Sequence, residues 1–379
     1  MRHNRLMITH DPMQELRLPA FTLLTTRTAR KMPAEDFSLG IASVPMSHSR
    51  QRVRQWLSLL LLGASACAHA QTCQTAEDMD TSARTALEAA AKRFFEMSAR
   101  GDTAALKKNS IDSVAANFAG IEAAVKENQA AFTGAQATIR PPFLLIAEGA
   151  SPLARAEFLC GVFGRTGQTK DSAVFVLNNL PPGKYAVTIL DVNGGSAVMT
   201  LTLVLEQVYG EWKLAGFFPR SSQAAGHDAA WFAQRARDFT AKAQNRNAWL
   251  YYREAIFLTA PVDIMSTLAT DQLYDAAQTV QPSDMPVNGK TVDLSVGGKV
   301  YRLTDVFPLA VGNDLDVVVK YQAADVSDTA RAFQENTVVI KALVAKFPEF
   351  REAFSGVVAR AVEPSGRDYG TLLGMKDIK

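Results

Sequence analysis

The sequence TSARTALEAAAKRFFEMSAR, residues 81–100, has the repeat of an amphipathic helix. Apolar or small residues return at intervals of three and four positions along it: Leu87, Ala91, Phe94, Phe95 and Ser98. This spacing places them on one packing face, and Gly101 follows where a helix commonly ends. Asp102 opens a second short helical stretch, and residues 111–132 are predicted to be helical as well.

Beyond Pro141-Pro142 the pattern changes to short β-type runs at residues 143–147, 157–163, 173–177, 184–192 and 197–218. Turn sequences such as Asn193-Gly194-Gly195 separate the runs. In the last run, alternation predicts one shared face for Val208, Trp212, Leu214 and Phe218. Helices followed by a meandering sheet predict an α+β fold.

Three segments of this region carry a resemblance to a known family. The segments RFFE at residues 93–96 and ARGDTAAL at 99–106, followed by YGEWKL at 209–214, are similar to the opening and closing of nuclear-transport-factor-two-like (cystatin-like cone) domains. The resemblance covers about residues 80–220 and implies a long helix wrapped by a curved antiparallel sheet, with a cone mouth that can hold a small molecule. That family includes enzymes, binding modules and assembly pieces. Residues 181–187, PPGKYAV, instead resemble a turn of secreted transthyretin-like β-sandwich modules.

Under this resemblance, the apolar stripe of Phe94, Phe95, Phe118 and Trp212 would line the inside of the cone. The predicted ligand-binding residues are Phe95, Phe118, Glu148 and Trp212, with a small apolar ligand. Asp112 and Glu122 are further acids that could reach the mouth. The alternative is that the stripe is ordinary core and that the acids are surface charges.

The second half divides into two predicted parts. A small-residue stretch at 221–226 marks the end of the cone-like domain, residues 71–222, and residues 223–281 are predicted to be a helical connector. Residues 251–261 of that connector resemble the second helix of a tetratricopeptide repeat, in a single copy. Residues 282–379 are predicted to be a C-terminal α+β domain, with strands at 291–296, 299–303 and 314–321 and helices at 326–346 and 349–362.

The first 70 residues have a different character. They contain 9 Lys or Arg and 4 Asp or Glu, which leaves 31 and 34 for residues 71–379. Arginines at 50, 52 and 54 precede an apolar run at 56–66, and Ala68-His69-Ala70 then leads to Gln71. This order predicts a secretory signal peptide over 46–70 with cleavage between Ala70 and Gln71, and it makes residues 1–45 a mis-assigned or disordered extension.

The predicted location is therefore the periplasm or the exterior. One alternative is lipid attachment at Cys67, which would anchor the protein to the envelope. Another keeps residues 1–70 as a membrane-associated basic segment of a cytoplasmic protein. Membrane contact is otherwise expected only through the signal peptide. Nucleic acid is an unfavoured partner, because no basic cluster follows residue 70.

Cleavage after Ala70 would leave two cysteines, Cys73 and Cys160. In an oxidising compartment they predict one disulfide, which would close a loop of about 87 residues and contribute roughly 4 kcal/mol. The alternative is that Cys160, inside an apolar run, is a small buried hydrophobe.

Histidine usage argues against several enzyme classes. Four of the five histidines, His3, His10, His48 and His69, precede residue 71, which leaves His227 alone. Zinc sites and Ser-His-Asp triads are therefore unfavoured, and no phosphate-binding or dinucleotide motif is present. The residues at 313–316, NDLD, lack the ligand spacing of a calcium loop. No metal or cofactor is predicted.

The predicted role is non-enzymatic binding or scaffolding in the envelope, with a small apolar ligand or another envelope protein as partner. The alternative is an isomerase or hydrolase that uses carboxylates or tyrosine in the cone pocket. Two convergent acids with raised pKa values in a cavity would favour the enzyme. A cone filled by phenylalanine side chains would favour the scaffold.

Overall fold

The computed structural model describes residues 71–379 except Thr166 and Asn288. About 35% of the described residues are in helices and 37% are in strands, which confirms the predicted α+β class. The predicted extension, the signal peptide, Cys67 and Ala70 lie outside the described residues. Across the part that is described, no helix is long and apolar enough to cross a membrane.

The N-terminal half begins with one short strand and five helices. These are β1 (Gln71–Gln74), α1 (Thr81–Ala99), α2 (Thr103–Lys108), α3 (Asp112–Ala116), α4 (Ala119–Glu127) and α5 (Gln129–Phe132). The carboxylates of Asp80 and Asp102 accept hydrogen bonds from the free backbone N–H groups at the starts of α1 and α2. The helical stretch predicted over 111–132 is divided into the three short helices α3, α4 and α5.

Seven strands follow: β2 (Gln136–Ile139), β3 (Phe143–Ala147), β4 (Leu153–Gly161), β5 (Ser172–Leu180), β6 (Gly183–Asn193), β7 (Met199–Val208) and β8 (Glu211–Ser221). Six of the described strands form an antiparallel sheet in the order β1-β3-β6-β7-β8, with β2 also paired to β6. Strands β2 and β3 are successive neighbours of β6, separated at Pro141-Pro142. Proline lacks the N–H that a ladder needs, so the break between β2 and β3 falls at these two residues.

Both faces of the six-stranded sheet are covered. Ala186 and Leu190 of β6 pack against the helices, whereas Val187 and Ile189 pack against β4 and β5. Strand β6 is therefore buried on both sides, and its residues 185–190 are all buried instead of alternating with exposed ones.

A β-bulge changes which side chains of β8 share a face. In the β7–β8 pair, Leu205 lies opposite Leu214 but Val204 lies opposite Gly216, so Ala215 is an extra residue. The extra residue reverses which face later side chains occupy. Trp212 and Leu214 pack against the helical cluster, but Phe218 packs on the opposite face. The prediction that Phe218 shares their face is wrong for this reason.

The C-terminal half contains α6 (Ala229–Ala241), α7 (Asn245–Thr259), β9 (Met265–Thr267), α8 (Leu268–Thr279), β10 (Val292–Val296), β11 (Lys299–Val311), β12 (Asp314–Gln322), α9 (Thr329–Lys346), α10 (Phe350–Ala353), β13 (Gly356–Val362) and β14 (Asp368–Gly374), followed by a 3-10 turn, Met375–Asp377. Strand β9 joins β4 and β5 in a separate three-stranded sheet. The predicted region 223–281 shares one hydrophobic cluster with the later strands and α9.

The five-stranded C-terminal sheet has the order β10-β11-β12-β13-β14. Its pairs are antiparallel except β12 and β13, which are parallel and connected through α9. The predicted helix at 349–362 is wrong beyond Ala353, because residues 356–362 form the buried strand β13. A strand buried on both faces has no alternation, so its apolar run can be mistaken for a helix.

Candidate functional site

The residues predicted to line the cone do not form an open pocket. Phe95 and Phe118 are buried in the cluster between the helices and the sheet, and Trp212 packs against the same cluster. The ring of Phe132 lies 6.1 Å from that of Phe95 and 6.3 Å from that of Phe217, both in edge-to-face contact. Aromatic side chains thus fill this space. Glu148 is exposed just after β3.

A shallow groove of about 390 Å³ lies beside Trp212. It is lined by Ala86, Ala89, Ala90, Arg93, Asn109, Glu211 and Trp212. Nη2 of Arg93 donates a hydrogen bond of 3.1 Å to the backbone oxygen of Trp212. Of the other predicted acids, Asp112 is exposed in the first turn of α3 and Glu122 forms an ion pair of 2.7 Å with Lys126. Neither acid lines the groove.

The predicted disulfide is confirmed. Cys73 and Cys160 are bonded, with their Cα atoms 5.1 Å apart, and the bond joins strand β1 to β4 of the other sheet. Next to it, Oε1 of Gln71 accepts a hydrogen bond of 2.7 Å from the backbone N–H of Glu157. The first four described residues are therefore held covalently and by backbone pairing to β3.

A larger cleft of about 460 Å³ lies in the C-terminal half, where the sequence indicates no site. Its described lining comes from α7, α8, the segment after α8, and strands β11 and β12: Trp249, Arg253, Ile256, Tyr274, Ala277, Gln278, Gln281, Pro286, Val287, Gly289, Thr304, Asp305 and Lys320. Its volume is in the range of clefts that hold small molecules.

The cleft exists because β10 stops short along β11. The described pairing of β10 with β11 ends at Val292 opposite Leu303, and the register of β11 against β12 shifts between Leu303 and Asp305. Thr304 is the extra residue of this bulge. Bulges redirect side chains, and here both Thr304 and Asp305 line the cleft. Helix α7 packs beside this part of β11.

Arg253 of α7 is the central charged group. Its Nη1 donates a hydrogen bond of 2.6 Å to the backbone oxygen of Val306 and lies 3.8 Å from Oδ1 of Asp305. The guanidinium also lies 4.8 Å from the ring centre of Trp249. Burial lowers the pKa of Arg253, while Asp305 and Glu254 oppose that shift. The contact with Asp305 is the one ion pair of Arg253 among the described residues.

Lys320 adds a second positive charge to the cleft. It lies directly opposite Asp305 in the β11–β12 pair, and its Nζ is 5.3 Å from the ring centre of Phe307. The described lining thus carries two basic residues and one acid. Tyr274 and Gln278 add exposed polar groups from α8. The arrangement can bind a polar molecule of modest size.

No pair of perturbed acids meets in either cavity. Burial raises the pKa of Glu254 to about 7, and burial also raises the pKa values of Glu206 and Asp316. These three acids lie on α7, β7 and β12, and none lines the cleft or the groove.

Metal chemistry has no evident ligand set in the part of the chain that the structure describes. Within it, no group of three or more His, Cys, Asp or Glu side chains could hold a metal ion. The imidazole of His227 stacks on the indole of Trp231, with ring centres 3.7 Å apart.

Sequence reasoning missed the cleft because its residues are scattered between positions 249 and 320. The only local signal is the pair Arg253-Glu254 within the otherwise apolar and aromatic residues 248–258 of α7. Comparison with protein-family models, with curated proteins and with solved structures finds no match. Function must therefore be argued from the residues of this chain.

Proposed function

We propose that this protein is exported to the cell envelope and acts there by binding a small molecule without transforming it. The observation that carries the proposal is the C-terminal cleft, which combines a volume of about 460 Å³ with the Arg253 guanidinium, whose hydrogen bond and ion pair among the described residues both use Nη1. Arg253, Asp305 and Lys320 would hold the ligand, and Trp249 would orient Arg253. The N-terminal half would serve as the structural support.

Cleavage between Ala70 and Gln71 is compatible with the described structure. Strand β1, at Gln71–Gln74, lies after the predicted cleavage point, so cleavage there would leave its pairing to β3 intact. The Cys73–Cys160 disulfide also fits an oxidising compartment, since such bonds rarely persist in the cytosol. A periplasmic or secreted location, with lipid anchoring at Cys67 as the alternative, remains part of the proposal.

The cone resemblance has a supporting role in this proposal. A long helix α1 lies over an antiparallel sheet, which is the arrangement that a nuclear-transport-factor-two-like domain needs. The buried phenylalanines between them favour a scaffold over an apolar ligand in the cone. Binding of an apolar ligand there, and contact with another envelope protein, stay predictions.

The rival function, a carboxylate or tyrosine enzyme, has less support. Such chemistry needs an acid or base within reach of a bound substrate. Asp305 is the one acid in the described lining of the cleft, and it is 3.8 Å from Arg253. Glu254, with its raised pKa, does not line the cleft. We therefore favour binding.

The test is a thermal-shift experiment on the purified protein with glutamate, succinate, phosphate, glucose and putrescine as probes. Gln278→Trp places a bulky side chain at the cleft, and Gln272→Trp places one at an exposed position of the same helix outside it. We expect at least one probe to raise the Tm of the wild type and of Gln272→Trp, but not that of Gln278→Trp. Equal responses of all three proteins, or no response from any, would refute binding in the cleft.

A further inference from the structure

We infer that the C-terminal cleft takes a ligand through an oxyanion, a carboxylate or a phosphate group, held by Arg253 and Lys320. This inference rests on the proposed binding function and adds the chemical class of the ligand. It follows from the geometry of the guanidinium, from the charges that surround it and from the polar groups at the rim.

The guanidinium of Arg253 is positioned but largely unused. Among the described residues, Nη1 is its only atom with a hydrogen bond or ion pair, to Val306 and Asp305. Its side chain keeps 30% of its surface exposed while lining the cleft. A guanidinium offers five N–H donors in a planar fork that matches two oxygens of a carboxylate or phosphate. The remaining donors can therefore serve a ligand.

Trp249 and Val306 hold this fork in place. The indole lies against the guanidinium at 4.8 Å from its ring centre, and the Val306 oxygen fixes Nη1 at 2.6 Å. Trp249 itself is only 4% exposed, so it cannot swing away freely. A donor group that is already oriented loses less entropy when it binds an anion.

The charges at the cleft favour an anion over a cation. Asp305 lies opposite Lys320 in the register of the β11–β12 pair, and its Oδ1 is 3.8 Å from Nη1 of Arg253, so the cleft lining carries two basic residues and one acid. The acidic neighbour on α7, Glu254, has its pKa raised to about 7 and is partly neutral at physiological pH. An anionic ligand would be attracted by these two positive charges and could accept hydrogen bonds from the remaining N–H donors of Arg253.

The other side chains that line the cleft also suit a ligand that carries an oxyanion. Gln278 and Tyr274 from α8 are exposed at the cleft and present polar groups. Ile256, Pro286 and Val287 supply a smaller apolar wall. A small organic acid or a phosphorylated metabolite has both an oxyanion and a body that such a wall accommodates.

The test titrates acetate and inorganic phosphate, at constant ionic strength, into protein purified after expression of the full chain. Binding is followed through the indole N–H resonance of Trp249. We expect saturable binding of at least one anion, and the stronger of the two identifies the head group as carboxylate or phosphate. Arg253→Lys keeps the charge but removes the fork, and it should weaken binding about tenfold.

Two charge variants should act in opposite directions. Asp305→Asn removes a competing carboxylate and should tighten anion binding about fivefold, whereas Lys320→Gln should weaken it by a similar factor. Asp293→Asn and Arg302→Gln are matched controls, because these residues form an exposed cross-strand pair on the same sheet outside the cleft. The controls should leave binding unchanged.

A purely structural role for these residues would not produce opposite signs. Absence of saturable binding with both anions, or weaker binding in Asp305→Asn, would overturn the oxyanion inference. Glucose and putrescine are titrated in parallel. If either binds where acetate and phosphate do not, and Gln278→Trp prevents it, the oxyanion inference falls while the proposed binding function stands.

Discussion

Glu254 provides a test of the charge balance beside the cleft. Its carboxylate has no hydrogen bond or ion pair among the described residues, and burial raises its pKa from the ordinary 4.5 to about 7 although Arg253 acts in the opposite direction. We expect Glu254→Gln to stabilise the protein at alkaline pH. At pH 4 the variant and the wild type should be equally stable, because Glu254 is then protonated in both the folded and unfolded chain.

The size and sign follow from proton linkage. An acid whose pKa is raised on folding contributes stability that is fully present below its unfolded pKa and is lost as pH rises through its folded pKa. For Glu254 that window runs from about pH 4.5 to about pH 7. A shift of this size corresponds to about 3 kcal/mol, so the variant should exceed the wild type by roughly that amount at pH 8.

Urea unfolding at pH 4, 5, 6, 7 and 8, followed by tryptophan fluorescence, measures the difference in the free energy of unfolding. Glu148→Gln is the matched control, since Glu148 is exposed and has no ion pair among the described residues. Its stability relative to the wild type should not change over this range. A constant difference for Glu254→Gln at every pH, or a loss of stability at pH 8, would refute the reasoning.

Three further predictions concern the stability of the fold: the disulfide, one buried aromatic ring and one buried acid. Reducing the Cys73–Cys160 disulfide opens a loop whose ends are 87 residues apart in sequence. This should lower the free energy of unfolding by roughly 4 to 5 kcal/mol, as measured by urea unfolding with and without reductant. A loss below about 1 kcal/mol would contradict the entropic estimate. Phe132→Ala removes a fully buried ring that lies between two other rings. It should lower the free energy of unfolding by about 3 to 5 kcal/mol in the same assay. A decrease below about 1 kcal/mol would show that the space between the helices and the sheet is not tightly filled. Asp316→Asn removes a carboxyl that is 4% exposed and whose pKa is raised by burial and by Asp314. That change should raise Tm at pH 8 but not at pH 4, and a lower Tm at pH 8 would count against it.

The elements that the sequence predicts best are those with one buried face. Residues 81–100 show a clear helical spacing, and the structure has α1 at Thr81–Ala99. The strands predicted at 291–296 and 299–303 are also confirmed, as β10 and β11 on either side of Gly297-Gly298. In both cases the pattern along the chain reflects one contact surface, so local periodicity is enough.

The errors arise where burial is two-sided or the register shifts. Strand β13, at Gly356–Val362, is buried on both faces and lacks alternation. For this reason its sequence pattern predicts a helix where the structure has a strand. Phe218 changes face because of the bulge at Ala215, and no residue type marks that bulge in advance. These features depend on neighbouring strands that are distant in sequence.

The candidate site was even less accessible to sequence reasoning. A disulfide between Cys73 and Cys160 could be predicted, with a buried unpaired Cys160 as the alternative, because they are the only cysteines after residue 70. The cleft, in contrast, needs α7 to lie beside β11 at the point where β10 ends and a second bulge turns Asp305 toward Arg253. Tertiary packing creates this neighbourhood, and the sequence contains no motif for it.

Mass spectrometry of the protein recovered from fractionated cells tests the account most directly. The account predicts a chain in the periplasmic or secreted fraction that begins at Gln71 and has no free thiol, since Cys73 and Cys160 are bonded. A lipid adduct on Cys67 would place the same domain on the envelope surface instead. A full-length chain in the cytosol with reactive cysteines would contradict export and, with it, the proposed role as an envelope binding protein.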